Sequence, residues 1–198
     1  MRSNGGEGIL KGRERTVYFA TENKGKYMEV ARIATEFGVR LKQLPHGKME
    51  IQSDDLREIA SFAAKKACET TLHPVVAEDS GFFIHALGGF PGPYSAYVFR
   101  TIGNRGILRL LGSADNRDAS FQAAVAFCKP KADPVCFSGR VNGVVTRHPK
   151  GVHGFGFDPI FMPKEGDGRT FAEMSTKEKN LLSHRATAFT KFFKWLAR

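Results

Sequence analysis

Apolar and polar positions along the first half of the chain repeat with periods that predict a strand, a helix, a strand and a helix. Residues 16–20 form a short β-prone run, and apolar residues recur at helical spacing over 27–37 until Gly38, where a helix end is expected. Residues 39–44 predict the second strand. The sequence Asp-Leu-Arg-Glu at 55–58 has the form of a capping box and predicts the start of the second helix.

The second half of the chain has shorter apolar runs. Its predicted elements are a strand at 75–77 that leads into Glu-Asp-Ser-Gly at 78–81, a Gly- and Pro-rich loop over 86–95, a helix through 107–111, paired strands at 121–127 and 135–145, and a final helix over 186–196. Strands interleaved with helices, followed by a strand pair, predict an α/β fold around a mixed twisted sheet with flanking helices.

The domain organisation predicted from this pattern is simple. Residues 1–15 contain four glycines and predict a loose leader, whereas no linker interrupts residues 16–198, which predict one domain with two lobes. The 198 residues are 41% hydrophobic and include 17 Phe, a composition that excludes disordered and fibrous classes.

The expected compartment is the cytoplasm. No apolar stretch approaches the roughly 18–20 residues needed to cross a bilayer, and the start of the chain lacks the apolar segment of an export signal. Cys68, Cys128 and Cys136 are odd in number and form no Cys-x-x-Cys pair, so we expect three reduced thiols and no cysteine zinc site.

The formal charge is +10, from 30 Lys and Arg against 20 Asp and Glu, and it is spread along the chain. A folded basic surface can attract nucleic acid, a membrane face or polyphosphate, and charge alone does not choose among them. A solvated basic face without a partner is the alternative.

Two segments that follow predicted strands could hold a phosphorylated ligand and its cation. Residues 21–26, Thr-Glu-Asn-Lys-Gly-Lys, join a strand to a helix and so offer free backbone N–H groups for an anion; the alternative is that Asn23 only caps the helix. The carboxylates at 78 and 79 are expected at a strand end, where Mg²⁺ could bind with Glu50 as a further ligand; the alternative for Asp79 is an Asx turn.

Two later segments could recognise a nucleobase. Residues 151–159 hold three glycines and two Phe, so a ring could stack on Phe and Asp158 could accept a ring N–H; the alternative is a loop whose Phe side chains fill the core. Ser183 is the predicted N-cap of the last helix, which leaves His184 and Arg185 beside the loop in front. A surface Arg without a role is the alternative there.

These segments occur in an order that resembles the Ham1-type inosine triphosphate pyrophosphatases, from about residue 16 to 196. The motifs that carry the resemblance are T-x-N-x-x-K at 21–26, E-D-S-G-F at 78–82, A-L-G-G-F-P-G-P-Y-S-A at 86–96, G-F-G-F-D-P-I-F at 154–161, F-A-E-M at 171–174, E-K-N at 178–180 and S-H-R at 183–185. The resemblance implies an elongated α/β fold with its site between two lobes. It also implies a Mg²⁺-dependent homodimer that hydrolyses ITP, dITP and XTP to the monophosphate and pyrophosphate.

The resemblance also assigns roles to individual residues. It implies phosphate contacts from Thr21, Glu22, Asn23, Lys24, Gly25 and Lys26, metal ligation by Glu50 and Asp79, proton acceptance by Asp79, a substrate contact from Ser80, stacking by Phe155, a base pocket with Gly156, Phe157 and Asp158, and nucleotide contacts from Lys179, His184 and Arg185. The family's phosphate-contacting Lys on the second helix matches either Lys65 or Lys66.

The chain departs from the family pattern at two aromatic positions. Phe157 stands where many relatives have Tyr, and Tyr97 stands where many bacterial relatives have Arg. The competing classes are a basic nucleic-acid-binding protein, a nucleotide sensor without catalysis and a Maf-type pyrophosphatase. The absence of aromatic residues interleaved with Lys and Arg argues against the first, and the motifs at 154–161 and 183–185 argue against the last. We therefore expect a small-molecule substrate, with neither nucleic acid nor membrane as partner.

Overall fold

The structure, a computed structural model, describes residues 15–45 and 49–198, in which seven strands form one mixed sheet flanked by helices. The strands are β1 (Arg15–Ala20), β2 (Val39–Leu44), β3 (Val75–Ile84), β4 (Pro91–Gly92), β5 (Asp118–Cys128), β6 (Val135–Val145) and β7 (Phe161–Pro163). The helices are α1 (Lys24–Glu36), α2 (Leu56–Thr71), α3 (Ser95–Thr101), α4 (Gly103–Leu111), α5 (Thr176–Leu182) and α6 (His184–Leu196). Both the predicted fold class and the predicted strand pair β5–β6 are confirmed.

The sheet has the order β2-β1-β3-β5-β6-β7, with β4 added to β3. Its β2-β1-β3 part is parallel, whereas β3, β5, β6 and β7 run antiparallel to one another. Strand β5 is buried on both faces because alanines of α2 cover one face and the Phe-rich side of α6 covers the other. A strand in such a layered position loses the clean alternation of a half-exposed strand.

A gap in the hydrogen bonding along one edge of β3 positions the site. Strand β5 pairs with β3 along its whole length, so β1 and β4 share the opposite edge. There β1 pairs only as far as Ala77, and β4 pairs only with Phe82 and Phe83. Residues 78–81 of β3 therefore lie between the part paired with β1 and the part paired with β4. No strand of the described chain pairs with their backbone on that edge.

This gap corrects the expectation that the segment 78–81 ends a strand. Strand β3 continues to Ile84 because β5 supplies partners beyond the point where β1 stops. The segment does lie beyond the carboxyl end of β1, where open sheets bind ligands. Gly81 is required here, because an added Cβ would lie 2.5 Å from the carbonyl oxygen of Gly92 in β4.

The helix starts follow their capping residues. Asn23 Oδ1 accepts from Lys26 N at 3.0 Å at the start of α1, which is the alternative role that the sequence left open for Asn23. Ser183 Oγ accepts from Ala186 N at 3.1 Å at the start of α6, as predicted. Asp55 caps α2 by accepting from Arg57 N. The predicted capping box is not formed, because the Glu58 carboxylate accepts from the Ser53 hydroxyl at 2.8 Å.

The structure also bears on the predicted leader and on the cysteines. Residues 1–14 of the predicted leader lie outside the described residues, whereas Arg15 already belongs to β1. The division into one two-lobed domain over 16–198 stays a prediction. All three cysteines are free, with Cys136 half-buried and the other two buried. Within the described ranges, no helix is long and apolar enough to cross a membrane.

Candidate functional site

A cavity of about 330 Å³ opens beside the gap in β3, between the starts of α1 and α6 and the loop before β7. It brings together most of the predicted site residues, namely Asn23, Lys26, Ser80, Phe155, Gly156, Phe157, Asp158, Lys179, His184 and Arg185. Thr21, Glu22, Lys24, Gly25, Glu50 and Asp79 do not line it. Helix α3 closes one side with Ala96, Phe99 and Arg100.

Six charged side chains form an alternating ionic chain under this cavity, which we name the charge chain. Its order is Asp158, Lys179, Glu29, Arg185, Glu78 and Lys26, with successive closest oxygen–nitrogen distances of 2.6, 2.8, 2.7, 3.1 and 2.7 Å. Five of the six are buried and Lys26 is partly exposed. With all six groups ionised the chain is electrically neutral, which is how several buried charges can coexist.

Burial and ion pairing compete in setting the pKa values of the charge chain. Burial alone raises the pKa of Glu29, but Arg185 and Lys179 outweigh it and hold the pKa below its ordinary value. Burial raises the pKa of Asp158, and Lys179 offsets only part of that rise. Burial acts to lower the pKa of Arg185, yet Glu78 and Glu29 raise it overall, so the guanidinium stays charged.

Glu29 is a site residue that the sequence analysis missed. It is 4% exposed and accepts from both Lys179 and Arg185, which come from α5 and α6 at the other end of the sequence. Glu29 follows Lys26 by one helical turn, so the two lie on the same side of α1. That spacing was the available signal, since it places a carboxylate beside a predicted phosphate-binding lysine.

The loop 154–158 separates the two Phe side chains that the sequence left undecided. Phe155 is half-buried in the cavity, with Lys179 Nζ 4.8 Å and the Arg185 guanidinium carbon 5.5 Å from its ring centre. Gly25 contacts this ring so closely that an added Cβ would lie 2.6 Å from it. Phe157 instead packs in the core against Phe82, at 5.2 Å between ring centres. The stacking role therefore fits Phe155, and the core role fits Phe157.

Asp158 anchors this loop. Its Oδ2 accepts from Lys179 Nζ at 2.6 Å and from Phe155 N at 2.9 Å. Gly154 has a φ of +72°, and a Cβ there would collide with the same carboxylate. Asn104 of α4 adds a hydrogen bond from Nδ2 to Gly156 O at 3.3 Å.

His184 is buried at the start of α6 and stacks on Phe121, with ring centres 4.9 Å apart and planes 11° apart. Burial, followed by the nearby Arg185, holds the pKa of His184 well below 6.5, so the ring is neutral at pH 7. Within the described ranges its Nδ1 has no hydrogen-bond partner. Because His184 lines the cavity, its neutral imidazole is suited to a hydrogen bond with a bound ligand.

We expect the low pKa of His184 to make the fold lose stability as pH falls below about 6.5. Below that value the unfolded chain binds a proton that folded His184 does not, so the free energy of unfolding falls by up to about 1.4 kcal/mol per pH unit. Urea unfolding at pH 7, 6 and 5 measures this slope for the wild type and for His184→Gln. The slope should be smaller in the variant, and equal slopes would exclude His184 as its source.

Asp79 lies on the opposite face of the sheet from this network. Successive strand residues point to opposite faces, so Asp79 faces the α2 side while Glu78 and Ser80 face the charge chain. Ser80 Oγ accepts from Arg185 at 3.1 Å. A ligand crossing the gap in β3 can therefore meet Ser80 on one face and Asp79 on the other.

The residues present are compatible with a divalent cation that is shared with a phosphorylated ligand. Asp79 is 8% exposed, Glu50 is exposed in the segment before α2, and the described residues contain no cluster of three or more acidic, His or Cys side chains able to hold a metal. Mg²⁺ usually takes one or two carboxylates and completes its shell with phosphate oxygens and water. Two carboxylates are compatible with that pattern, and a closed protein cage is not required.

The predicted phosphate segment begins α1. Thr21 is buried and its Oγ1 accepts from Asn23 N at 3.2 Å, which fixes the turn, while Glu22 and Lys24 are exposed. Asn23 does cap the helix, yet in the described structure no acceptor takes the first-turn N–H groups of Lys24 and Gly25. These groups can bind an anion.

The two candidate lysines of α2 lie elsewhere. Lys65 pairs with Asp133 at 3.2 Å and Lys66 pairs with Glu69 at 2.9 Å, and neither lines the cavity. Both pairs are solvent-exposed. The structure therefore brings neither lysine to the predicted phosphate segment.

Comparison with known proteins agrees with the motifs. The model of the Ham1 family matches residues 17–195. Proteins named dITP/XTP pyrophosphatase from Methanopyrus kandleri and Hyperthermus butylicus are 49% and 45% identical over 179 and 182 residues, covering 90% and 92% of this chain and 95% of each relative. A HAM1 protein from Coxiella burnetii has a similar solved structure, with a TM-score of 0.79 and 30% identity over 92% of this chain and 98% of that chain. This chain belongs to the Ham1 family.

Proposed function

We propose that this protein is a pyrophosphatase that hydrolyses ITP, dITP and XTP to the nucleoside monophosphate and pyrophosphate with Mg²⁺. The observation that carries the proposal is the cavity itself, which joins a stacking ring, Phe155, and a donor-rich helix start at 184–185 to the anion-binding turn at 23–26. Family membership and relatives named dITP/XTP pyrophosphatase support the same reaction.

The base end of the cavity favours a purine with a 6-oxo group. Hypoxanthine and xanthine present an acceptor at that position, whereas adenine presents an amino donor. The Arg185 guanidinium is charged and carries only donors, and it faces Phe155 from the start of α6. The amino group of adenine is a donor and would face the donors of Arg185, so both groups would remain without an acceptor. Sites built around such hydrogen bonds reject the wrong base strongly.

A bound triphosphate requires positive charge at the end of the cavity near residues 23–26. The charge chain has no net positive charge to offer it. The amides of Lys24 and Gly25, the exposed Lys24 side chain and Arg100 on α3 remain to meet a triphosphate. Arg100 lines the cavity, and in the part of the chain that the structure describes no carboxylate lies within 4 Å of it. It lies one turn beyond Ala96, so it can replace the Arg that many bacterial relatives have at the position of Tyr97.

The reaction requires that water attack the polyphosphate while pyrophosphate departs. In this proposal Asp79, which lies in the gap of β3, accepts the proton of that water, and the phosphates bind at the turn in which Asn23 accepts from Lys26 N. A divalent ion bound by Asp79 and Glu50 would supply charge neutralisation and polarise the water. No covalent intermediate is required.

Pyrophosphate release from ITP, XTP, dITP, GTP and ATP, each with and without MgCl₂, tests the proposed function. We expect release from the first three only, with rates at least about 100-fold above those for ATP, and no release once EDTA removes the metal. Orthophosphate in place of pyrophosphate, or equal rates on all five nucleotides, would contradict it.

Arg100→Ala should raise KM for ITP about fivefold to tenfold with little change in kcat, because an exposed contact to phosphate contributes on the order of 1 kcal/mol. The increase should shrink at 0.5 M NaCl, where exposed charges are screened. Arg109→Ala on α4 is the matched control, since it removes the same charge from an exposed position outside the cavity. Equal KM changes in the two variants would assign the effect to net charge.

A homodimer and a cytoplasmic location belong to the same proposal. Phe90, Tyr94, Tyr97 and Ile102 are 41%, 44%, 62% and 41% exposed within one short segment, which supports a second copy as the partner that covers them. Three free thiols support a reducing compartment. Sedimentation equilibrium of the wild type tests the dimer, and a monomer at micromolar concentration would contradict it.

A further inference from the structure

Lys179 holds its ammonium group beneath the Phe155 ring between two buried carboxylates. Its Nζ lies 2.6 Å from Asp158 Oδ2, 2.8 Å from Glu29 Oε1 and 4.8 Å from the centre of the Phe155 ring, and the residue is 3% exposed. An ammonium has three N–H donors. Two of them reach Asp158 and Glu29, and no acceptor among the described residues takes the third.

The contact with Lys179 makes the two carboxylate oxygens of Asp158 differ in their hydrogen bonding. Oδ2 already accepts from Lys179 and from Phe155 N, whereas no donor in the described ranges reaches Oδ1. Asp158 lines the cavity, so one of its oxygens is saturated and the other is available to a ligand. The carboxylate can therefore accept one ring N–H but not two adjacent N–H groups.

This division matches the chemistry that separates three 6-oxopurines. Hypoxanthine presents N1–H and a hydrogen at position 2. Xanthine adds an oxygen acceptor at position 2, and guanine adds an amino donor there. A carboxylate recognises guanine through both oxygens, one for N1–H and one for the 2-amino group, and Lys179 occupies the second oxygen.

We propose that Lys179 selects the substituent at position 2 of the purine. It denies Asp158 Oδ2 to the 2-amino group of guanine and offers its third N–H to the 2-oxo group of xanthine, while hypoxanthine is accepted through N1–H alone. The inference rests on the proposed function, since it requires a 6-oxopurine against Phe155 with its N1 edge toward Asp158.

The charge chain shows how to remove Lys179 without changing the net charge of the chain. Lys179→Met alone would deprive Asp158 of its cation. Adding Glu29→Gln removes one negative charge as well, and the remaining Asp158, Arg185, Glu78 and Lys26 again sum to zero. The double variant Glu29→Gln/Lys179→Met keeps the net charge of the chain and removes Lys179 from Asp158 Oδ2, while Arg185 is the cation that still acts on Asp158.

The first measurement uses the wild type and the monophosphates XMP, IMP and GMP in binding titrations. We expect GMP to bind at least about tenfold more weakly than IMP, because its 2-amino donor meets a saturated oxygen and an ammonium. XMP should bind at least as tightly as IMP. Equal affinity for GMP and IMP overturns the inference before any variant is made.

The second measurement is kcat/KM on ITP, XTP and GTP for the wild type, the double variant and a triple variant that adds Asp158→Asn. We expect the GTP:ITP ratio to rise about tenfold or more in the double variant and the XTP:ITP ratio to fall, with the GTP gain lost in the triple variant. A uniform loss on all three nucleotides, with both ratios within twofold of wild type, would show a purely structural role. Failure of the wild type to release pyrophosphate from ITP would instead refute the proposed function.

Discussion

Asp79→Asn should lower kcat for ITP by about 10²–10⁴-fold while the protein remains folded. The substitution keeps the shape of a side chain that is 8% exposed, but it removes both the negative charge and the ability to accept a proton. KM should change much less than kcat, because the base contacts lie on the other face of β3. Steady-state kinetics at saturating MgCl₂, with circular dichroism to confirm folding, measures the effect.

Asp133→Asn is the matched control for this variant. It makes the same chemical change at an exposed carboxylate that pairs with Lys65, away from the cavity. We expect its kcat to stay within about twofold of wild type, as for most surface substitutions. Turnover of Asp79→Asn within tenfold of wild type would remove Asp79 from the reaction.

Arg185→Ala should destabilise the protein by about 3–5 kcal/mol, because it leaves Glu29 and Glu78 buried with only part of their compensation. A typical domain has a stability of roughly 5–15 kcal/mol, so the loss is large. The ITP:ATP ratio of kcat/KM should also fall, since the variant lacks donors that reject adenine. Urea unfolding at 15 °C and kinetics on the folded fraction measure the two effects.

Arg169 provides the comparison for the stability effect. It also pairs with two carboxylates, Asp167 at 2.8 Å and Glu178 at 2.7 Å, but its side chain is 39% exposed. Arg169→Ala should therefore lower the free energy of unfolding much less than Arg185→Ala does. Equal losses in the two variants would show that burial does not set the strength of the charge chain, and an unchanged ITP:ATP ratio would remove Arg185 from base selection.

The sequence predicted elements well where the signal is local. The stripe over 27–37, the strand pair at 121–127 and 135–145 and the caps Asn23 and Ser183 are all present in the structure. Helix α5 was missed although Ser175 and Glu178 form a complete capping box there. The helix has only seven residues and few apolar ones, so it shows no helical repeat of apolar positions, although its capping box is visible in the sequence.

Features that depend on distant partners could not be read in this way. The strand through 78–81 appeared to end because nothing local reveals that β5 continues the pairing. Glu29 looked like an ordinary polar residue of α1, since its partners Lys179 and Arg185 lie about 150 positions further along the chain. Phe155 and Phe157 have the same chemistry, and only packing assigns one to the cavity and the other to the core.

A crystal structure of Asp79→Asn with ITP and MgCl₂ tests most directly whether the cavity binds and orients a 6-oxopurine triphosphate. We predict the hypoxanthine ring against Phe155, the triphosphate passing over the gap in β3 toward residues 23–26, and Arg185 on the side of the 6-oxo group. Nucleotide bound outside this cavity, or bound within it with the base and phosphates exchanged, would contradict the proposed site.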